Sequence, residues 1–506
     1  MRKTLRPSGG HILDIDAAEI ADQFLSFANN VNTRKGFPSS LAGRRVAYPV
    51  SMGGAPNDPL HLLNFFLNDF NWWMHFGADT IYGVEAGNSF DVSYSGQQTV
   101  ANTYEWVSTL LNGIPVFTNG KDPLLFWDGD GGNAADAVPD WPVGQVCKAV
   151  VAFRFHLFAL NIDNASGTFS NLVQWSDAAE PGTLPASWTP AASNEAGSAI
   201  LADTPGACIC GVPLGTQLMI YKPTSTFAME YIGQQPDNIF SARPIVRSTG
   251  ALSPHSVLEM GRHLVVGNDD IVLTDGVNVQ SIADNRIRRY LANQIDETNQ
   301  RNLFVIRDIV QREVWVCAPE SGSTFATVAH IWDERRDTWV TRDLNEVRYG
   351  TTGIVSDADV DTNWDSVNTT WDTTNRTWNS GTPQGKEHVV LAEDTVLYVE
   401  NTSDSTVTTA RLVREDMTFD DDTMIKTTSR VWVEGSGAGL SNVQFRLGSR
   451  DATDESITWL AFVPRQGGGV PYEVTGRYIS IEIRVIGTDP WTVNRIAIEA
   501  SVNGAH

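Results

Sequence analysis

Residues 302–344, NLFVIRDIVQREVWVCAPESGSTFATVAHIWDERRDTWVTRDL, divide into the short runs LFVIRD, REVWVCAP, TVAHIWD and TWVTRDL. Each run is β-branched or aromatic, alternates in part, and is bounded by turn residues. That pattern predicts antiparallel strands forming one small sheet. A four-stranded sheet of about 40 residues has two faces and cannot bury enough apolar area alone, so it needs similar sheets stacked on it. The stretch therefore predicts a β-propeller blade. Its last turn carries Trp332-Asp333-x5-Trp339. In such a turn the aspartate accepts from backbone amides and the two aromatics pair across the hairpin. The same interval returns from Asp365 to Trp371 and from Asp372 to Trp378. Kelch-type propellers use a similar interval, but the paired glycines that precede theirs are missing here.

The bulk numbers agree with a large folded body. At 506 residues, with 42% hydrophobic residues, 16 Trp and 21 Phe, the chain exceeds one ordinary core and divides into two or three domains. Lys+Arg 36 against Asp+Glu 60 leaves a net charge of -24. Such a chain does not coat nucleic acid by neutralising phosphates. It suits a passage along which nucleic acid slides without sticking. The four cysteines, Cys147, Cys208, Cys210 and Cys317, are too few for a disulfide framework and lack partners at metal-ligand spacing, so they read as buried small hydrophobes. No signal-like segment and no run of about 18 apolar residues stands out. The expectation is a soluble protein made in a reducing cytoplasm, with no membrane insertion.

Working outward, residues 1–50 form an N-terminal strand, helix and connector: the strand HILDI, then AAEIADQFLSFANNV, whose Ile20, Phe24, Phe27, Ala28 and Val31 share one helical face. The connector contains Arg34, Lys35, Arg44 and Arg45, either solvated or facing an acidic neighbour. Residues 51–354 read as strands and turns recurring about every 40 residues, an irregular propeller. Within them NRIRRYLANQID, Asn285 to Asp296, is a second short helix. Arg286, Arg288 and Arg289 near its start oppose the helix dipole and call for partners. Contacts to another subunit, to DNA and plain solvation all remain open. Residues 355–385 form a Trp/Thr/Asn-rich loop or hairpin excursion in which Trp364, Trp371 and Trp378 recur every seven residues, as if covered by a neighbouring chain. Residues 386–506 form a C-terminal β-sandwich or barrel, with the cleanest alternation from Tyr478 to Val485. The fold class is thus mainly β: an irregular β-propeller, a C-terminal β domain and two short helices.

Nucleophile elbows, phosphate loops, paired metal-ligand cysteines and HExxH are absent from the sequence. Asp128-Gly-Asp130-Gly-Gly and Asp357-Ala-Asp359-Val-Asp361 look like calcium loops, but Thr362 and Asn368 occupy the positions where an EF-hand needs Gly and a bidentate Glu. Acidic turn chemistry explains both. A sialidase-type Asp box fails around Trp339, where Glu334 and Arg336 occupy its Asp and Gly positions. No catalytic residue, cofactor or metal is expected.

Four phrases carry a family likeness: the small-residue loop after Trp-Ser-Asp (Gln174 to Pro185), GTQLMIYKPTSTFAMEYIG, GALSPHSVLEMGRHLVVGNDDIVLTDG, and the closing GRYISIEIRVIGTDPWTVNRIAIEA. Together they resemble the nozzle or hub protein of short-tailed bacteriophages, the tail tubular protein B type, over roughly Phe153 to Ile282 and the last 30 residues. The resemblance implies a virion tail protein assembled in the host cytoplasm as a homo-hexameric ring at the distal tail. It implies an adaptor or portal-proximal ring above, fibres or spikes outside, and genomic DNA passing through the channel without specific binding. In that setting Arg286, Arg288, Arg289, Trp364, Trp371 and Trp378 are candidate inter-subunit contacts. It implies conduction and gating rather than catalysis. Two other classes fit the composition: a propeller hydrolase or lyase acting on glycans, and a carbohydrate-binding adhesion module using Trp364, Trp371 and Trp378 as stacking platforms.

Overall fold

The computed structural model describes residues 1–47, 57–68, 70–85, 88–234, 238–355, 387–402, 407–419 and 421–505. The sheets follow the expected plan. Five separate four-stranded antiparallel sheets occupy 61–91, 107–137, 146–200, 210–246 and 257–281, each with its strands in chain order. The stretch that opened the reading forms the sixth, with strands Phe304–Asp308, Glu313–Ala318, Ala326–Asp333 and the first half of Thr338–Ile354. Trp332 and Trp339 stand directly opposite in its last hairpin, their rings stacked at 6.3 Å. The Asp333 carboxylate accepts from the amides of Arg335 and Arg336 at 2.9 and 3.3 Å, which fixes the turn between them.

A seventh sheet closes the ring. The second half of Thr338–Ile354 pairs with Glu387–Glu393, that strand with Val396–Thr402, and the last with Gly43–Val46. Thr338–Ile354 is thus the outer strand of blade 6 and the inner strand of blade 7. Its far half packs on His61–Leu67, the inner strand of blade 1. The structure is mainly β, a β-propeller joined to a second β unit. Apolar cores lie between the blades: Phe76, Trp106 and Phe117 between blades 1 and 2, and Phe153, Phe158 and Phe240 between blades 3 and 4.

The C-terminal unit is a sandwich. One layer pairs Met424–Ser436 with Thr492–Ala505, and Arg2–Leu5 adds to the latter's edge. The other layer pairs Tyr478–Gly487 with both Thr408–Met417 and Val443–Arg450. Ile481, Ile483, Phe445, Val431 and Ile498 fill the space between them. On the outer face of Tyr478–Gly487, Glu482 is buried and accepts from Arg411 and Arg446 at 2.6 and 2.7 Å. Propeller and sandwich share a sheet. Phe27–Asn29 lies parallel to Thr338–Ile354 on one side and antiparallel to Thr408–Met417 on the other, giving a continuous 13-stranded sheet.

This pairing corrects the first predicted helix. Residues 17–31 contain only a 3-10 turn, Ala17–Glu19, capped by the Asp16 carboxylate, and then strands Phe27–Asn29 and Val31–Asn32. The apolar residues that share a helical face also suit a strand flanked by two unpaired edges, and backbone pairing to both edges outweighs local helix preference. HILDI forms no strand: within it only His11 makes an isolated bridge, to Leu25, and the preceding Gly10 makes one to Trp339. The second helix forms over Arg288–Gln294. The strands within 387–402 belong to the ring, so apart from Arg2–Leu5 the sandwich strands described above begin at Thr408 rather than at 386. The excursion with Trp364, Trp371 and Trp378 lies outside the described residues.

The arginine-rich connector meets acids. Arg34 pairs with Glu313 through two bonds of 2.6 and 2.7 Å. Arg44 reaches Glu393 at 2.6 Å beside a fully buried Glu400, which Arg342 grips at 2.5 Å. Removing one partner of such a buried pair leaves an uncompensated charge. Glu400→Ala is therefore expected to lower unfolding free energy by about 3–5 kcal/mol in urea titrations, and the double change Arg342→Met with Glu400→Leu to recover part of the loss. A neutral single substitution would refute this account of blade 7.

Candidate functional site

The innermost strand of each separate blade pairs on one side only, so its other edge faces the propeller axis. These edges enclose a cavity of about 320 Å³ lined from blade 1 by His61, blade 2 by Ser108, blade 3 by Val150, blade 4 by Val212 and blade 7 by Tyr349, with His255 entering ahead of blade 5. None of its lining residues is Asp, Glu, Lys or Arg.

His255 is held by the turn Ser253-Pro254-His255-Ser256. The Ser256 hydroxyl donates to the Ser253 carbonyl at 2.8 Å and accepts from the Leu252 amide, while the Ser253 hydroxyl donates to Leu303 O and accepts from the His255 amide. These bonds, within the turn and to Leu303, hold the imidazole toward the axis. His255 Nε2 faces two carbonyls, Trp106 O at 2.9 Å and Thr103 O at 3.3 Å. Carbonyls only accept, so Nε2 carries the proton and Nδ1 accepts from the Tyr349 hydroxyl at 3.4 Å.

His61 lies between these groups. Its ring stacks on His255 at 5.0 Å and tilts against Tyr349 at 4.5 Å, and Nε2 bonds the Ser108 hydroxyl at 2.8 Å. Its Nδ1 is buried without a hydrogen-bond partner. Burial, then the neighbouring His255, hold His61 well below the ordinary imidazole range, and burial lowers His255 to about 4. Burial likewise pushes the Tyr349 phenol upward. At neutral pH the cluster is uncharged and poised for hydrogen bonding and ring contact.

A second, shallower cavity of about 450 Å³ is lined by Asp16, Glu19, Thr418, Asp422, Thr453 and Tyr478. The Asp16 carboxylate already accepts from the Ala18 amide. Among the described residues no group of three or more His, Cys, Asp or Glu could hold a metal ion. At the calcium-like turn, Asp128 accepts from the Asp130 amide and from Asn133, and Asp130 from the Gly132 amide, so acidic turn chemistry accounts for it. All four cysteines are buried and free.

Two of the predicted arginines, Arg286 and Arg288, find side-chain partners within the chain. Arg286 pairs with Asp337 at 3.5 Å and lies over Phe24. Arg288 donates to Asp269 O at 2.9 Å and meets Asp284. Asp14, from the N-terminal segment, accepts from the amides of Arg289 and Tyr290 and supplies the negative charge that the helix start lacks. The Arg289 side chain points outward and is exposed. The structure does not bring these residues to the axial cluster. Sequence reading missed His61, His255 and Tyr349 as a group; only the self-bonded Ser-Pro-His-Ser turn carried a signal for any of them.

No family model and no curated protein matches the chain. Among solved structures it is similar to YCF48 bound to a D1 peptide, at a TM-score of 0.36 and 10% identity over 69% of this chain and 94% of that one. It is also similar to PorZ, described as an essential bacterial surface component of the type-IX secretion system of Porphyromonas gingivalis, at a TM-score of 0.37 and 8% identity, covering 72% of this chain and 38% of PorZ. The ring of sheets rather than these likenesses carries the fold.

Buried neutral histidines make stability pH-dependent. His255 and His330 are lowered to about 4, and His11 and His75 to about 3, chiefly by burial. Between those values and the unfolded value near 6.5 the unfolded chain binds more protons, so stability rises with pH and falls on acidification. Urea midpoints should drop from pH 6.5 toward pH 4. His255→Gln should reduce the slope between pH 6 and 5 by about 1.4 kcal/mol per pH unit; an unchanged slope would mean that His255 is not buried as a neutral ring.

Proposed function

We propose that the chain is a structural virion protein, a tail nozzle or hub of short-tailed bacteriophages. It forms a homo-hexameric ring at the distal tail, joins an adaptor or portal-proximal ring, conducts and gates genomic DNA during ejection, and anchors fibres or spikes. The observation that carries this reading is the continuous 13-stranded sheet from blade 6 into the sandwich. It joins two domains by backbone hydrogen bonds instead of a linker, as a load-carrying ring subunit requires.

Two further features support it. The segments that resemble the nozzle family fall on blades 3 to 5 and on the closing sandwich strands Tyr478–Gly487 and Thr492–Ala505. The net charge is -24, and Asp128, Asp130, Asp136 and Asp140, outside the inner strands of blades 2 and 3, are exposed with no lysine or arginine between them. An acidic wall repels phosphates all along a passage, whereas a basic one would hold them. A cavity of about 320 Å³ admits no duplex, so the DNA path in this proposal runs between subunits.

Glycan hydrolysis calls for two carboxylates across a scissile bond; the axial cavity has none in its lining, and of the three acids lining the shallower cavity, Asp16, Glu19 and Asp422, Asp16 already caps the 3-10 turn. The reading as a carbohydrate-binding adhesion module rests on Trp364, Trp371 and Trp378, which lie outside the described residues. Light scattering after size exclusion should give a ring of six copies, and electron microscopy of the ring or the parent particle should show sixfold symmetry about a hole. A monomer in solution that is also absent from tail particles would refute the proposal.

A further inference from the structure

Beyond the nozzle reading, we infer that the axial cavity is a binding site for an uncharged, hydroxyl-rich small molecule the size of a monosaccharide or cyclitol. Its volume of about 320 Å³ falls at the lower end of small-molecule sites, which run from about 300 to 1,000 Å³.

Three features of the walls select the ligand class. The first is charge: no acid, lysine or arginine lines the space. An ionised ligand would lose its hydration there without gaining a counter-charge, a large cost in a poorly solvated site. The second is hydrogen-bonding character. A hydroxyl both donates and accepts, so it can pair with either kind of neutral group. Ser108 and Thr351 add hydroxyls to the wall, and the unpaired edges of the inner strands add backbone donors and acceptors. The third is shape and surface. The rings of His61, His255 and Tyr349 form one aromatic group, opposite Val150 and Val212 on other blades. A saturated ring carrying C–H groups on its faces and hydroxyls on its rim matches both kinds of wall.

The rigidity of the frame supports binding over mere filling by water. His255 is fixed by the Ser253–Ser256 turn and two carbonyls, and His61 by Ser108 and its ring neighbours, so little ordering remains to oppose association.

Titration calorimetry on the full chain tests this with D-glucose, D-galactose, N-acetylglucosamine and myo-inositol, against the charged ring analogues D-glucuronate and D-glucosamine. At least one neutral compound should bind saturably at one per chain, and the charged analogues should not. Ser108→Leu, which fills the cavity from blade 2, and Thr351→Leu, which fills it from blade 7, should each weaken binding at least about tenfold, with near-ultraviolet circular dichroism confirming the fold. Three results would overturn the inference: no neutral compound binding up to the millimolar range, charged analogues binding equally well, or binding indifferent to both folded variants. If both variants unfold, a wild-type co-crystal decides, and a compound seated anywhere but the axis refutes the site. None of these outcomes depends on whether the chain forms a ring of six.

Discussion

The structure depends on one need: strand edges must find partners. The outer edge of blade 6 and the edge of the sandwich strand Thr408–Met417 both present unpaired backbone groups, and Phe27–Asn29 satisfies them together. Around that insertion the N-terminal segment makes its other attachments. His11 donates its amide to Trp339 O, Thr33 bonds Thr338, Arg34 holds Glu313, and Gly43–Val46 completes blade 7. The buried ion pairs here cost desolvation and add little net stability, but they oppose any register in which one charge loses its partner. Their effect is to specify where the strand docks.

What was legible in the sequence was local. Residues 302–344 show their strands because both faces of a blade are buried and the hairpins are short, so periodicity and turn chemistry coincide. Asp333 between Trp332 and Trp339 is the clearest case, since residue type, spacing and hydrogen bonding all point to one turn. Illegible parts depend on distant residues. Phe27 to Val31 fits a helix by spacing and becomes strand because of edges more than 300 residues away. The last strand of blade 7 likewise comes from Gly43–Val46, which carries no strand signal of its own. The axial cluster was hidden for the same reason: His61, Ser108, His255 and Tyr349 come from separate blades and meet only once the ring closes.

The molecule also separates its electrostatics by depth. Its net charge of -24 belongs to the surface, while the axial cavity is lined by neutral groups. Several buried carboxylates elsewhere have arginine partners, as with Glu400 and Arg342, Glu482 and Arg411, and Asp416 and Arg450, while Asp333 is held by backbone amides. A surplus of acid on the exterior favours solubility and discourages nucleic-acid adhesion without disturbing the interior.

The pairing of Arg2–Leu5 with Ile496 to Glu499 has a consequence for biosynthesis. Residues 2–5 cannot find their places until residues 496–499 have been made, which at about 5–20 residues per second takes tens of seconds. Through that interval blades 1 to 5 can assemble in order as they emerge, each from contiguous sequence, while the leading segment stays unpaired. Its apolar residues, Ile20, Leu25, Ala28 and Val31, are buried in the finished fold but are open to solvent or chaperones during translation. Ring closure likewise waits for residues 387–402, and Gly43–Val46, made long before them, then completes blade 7.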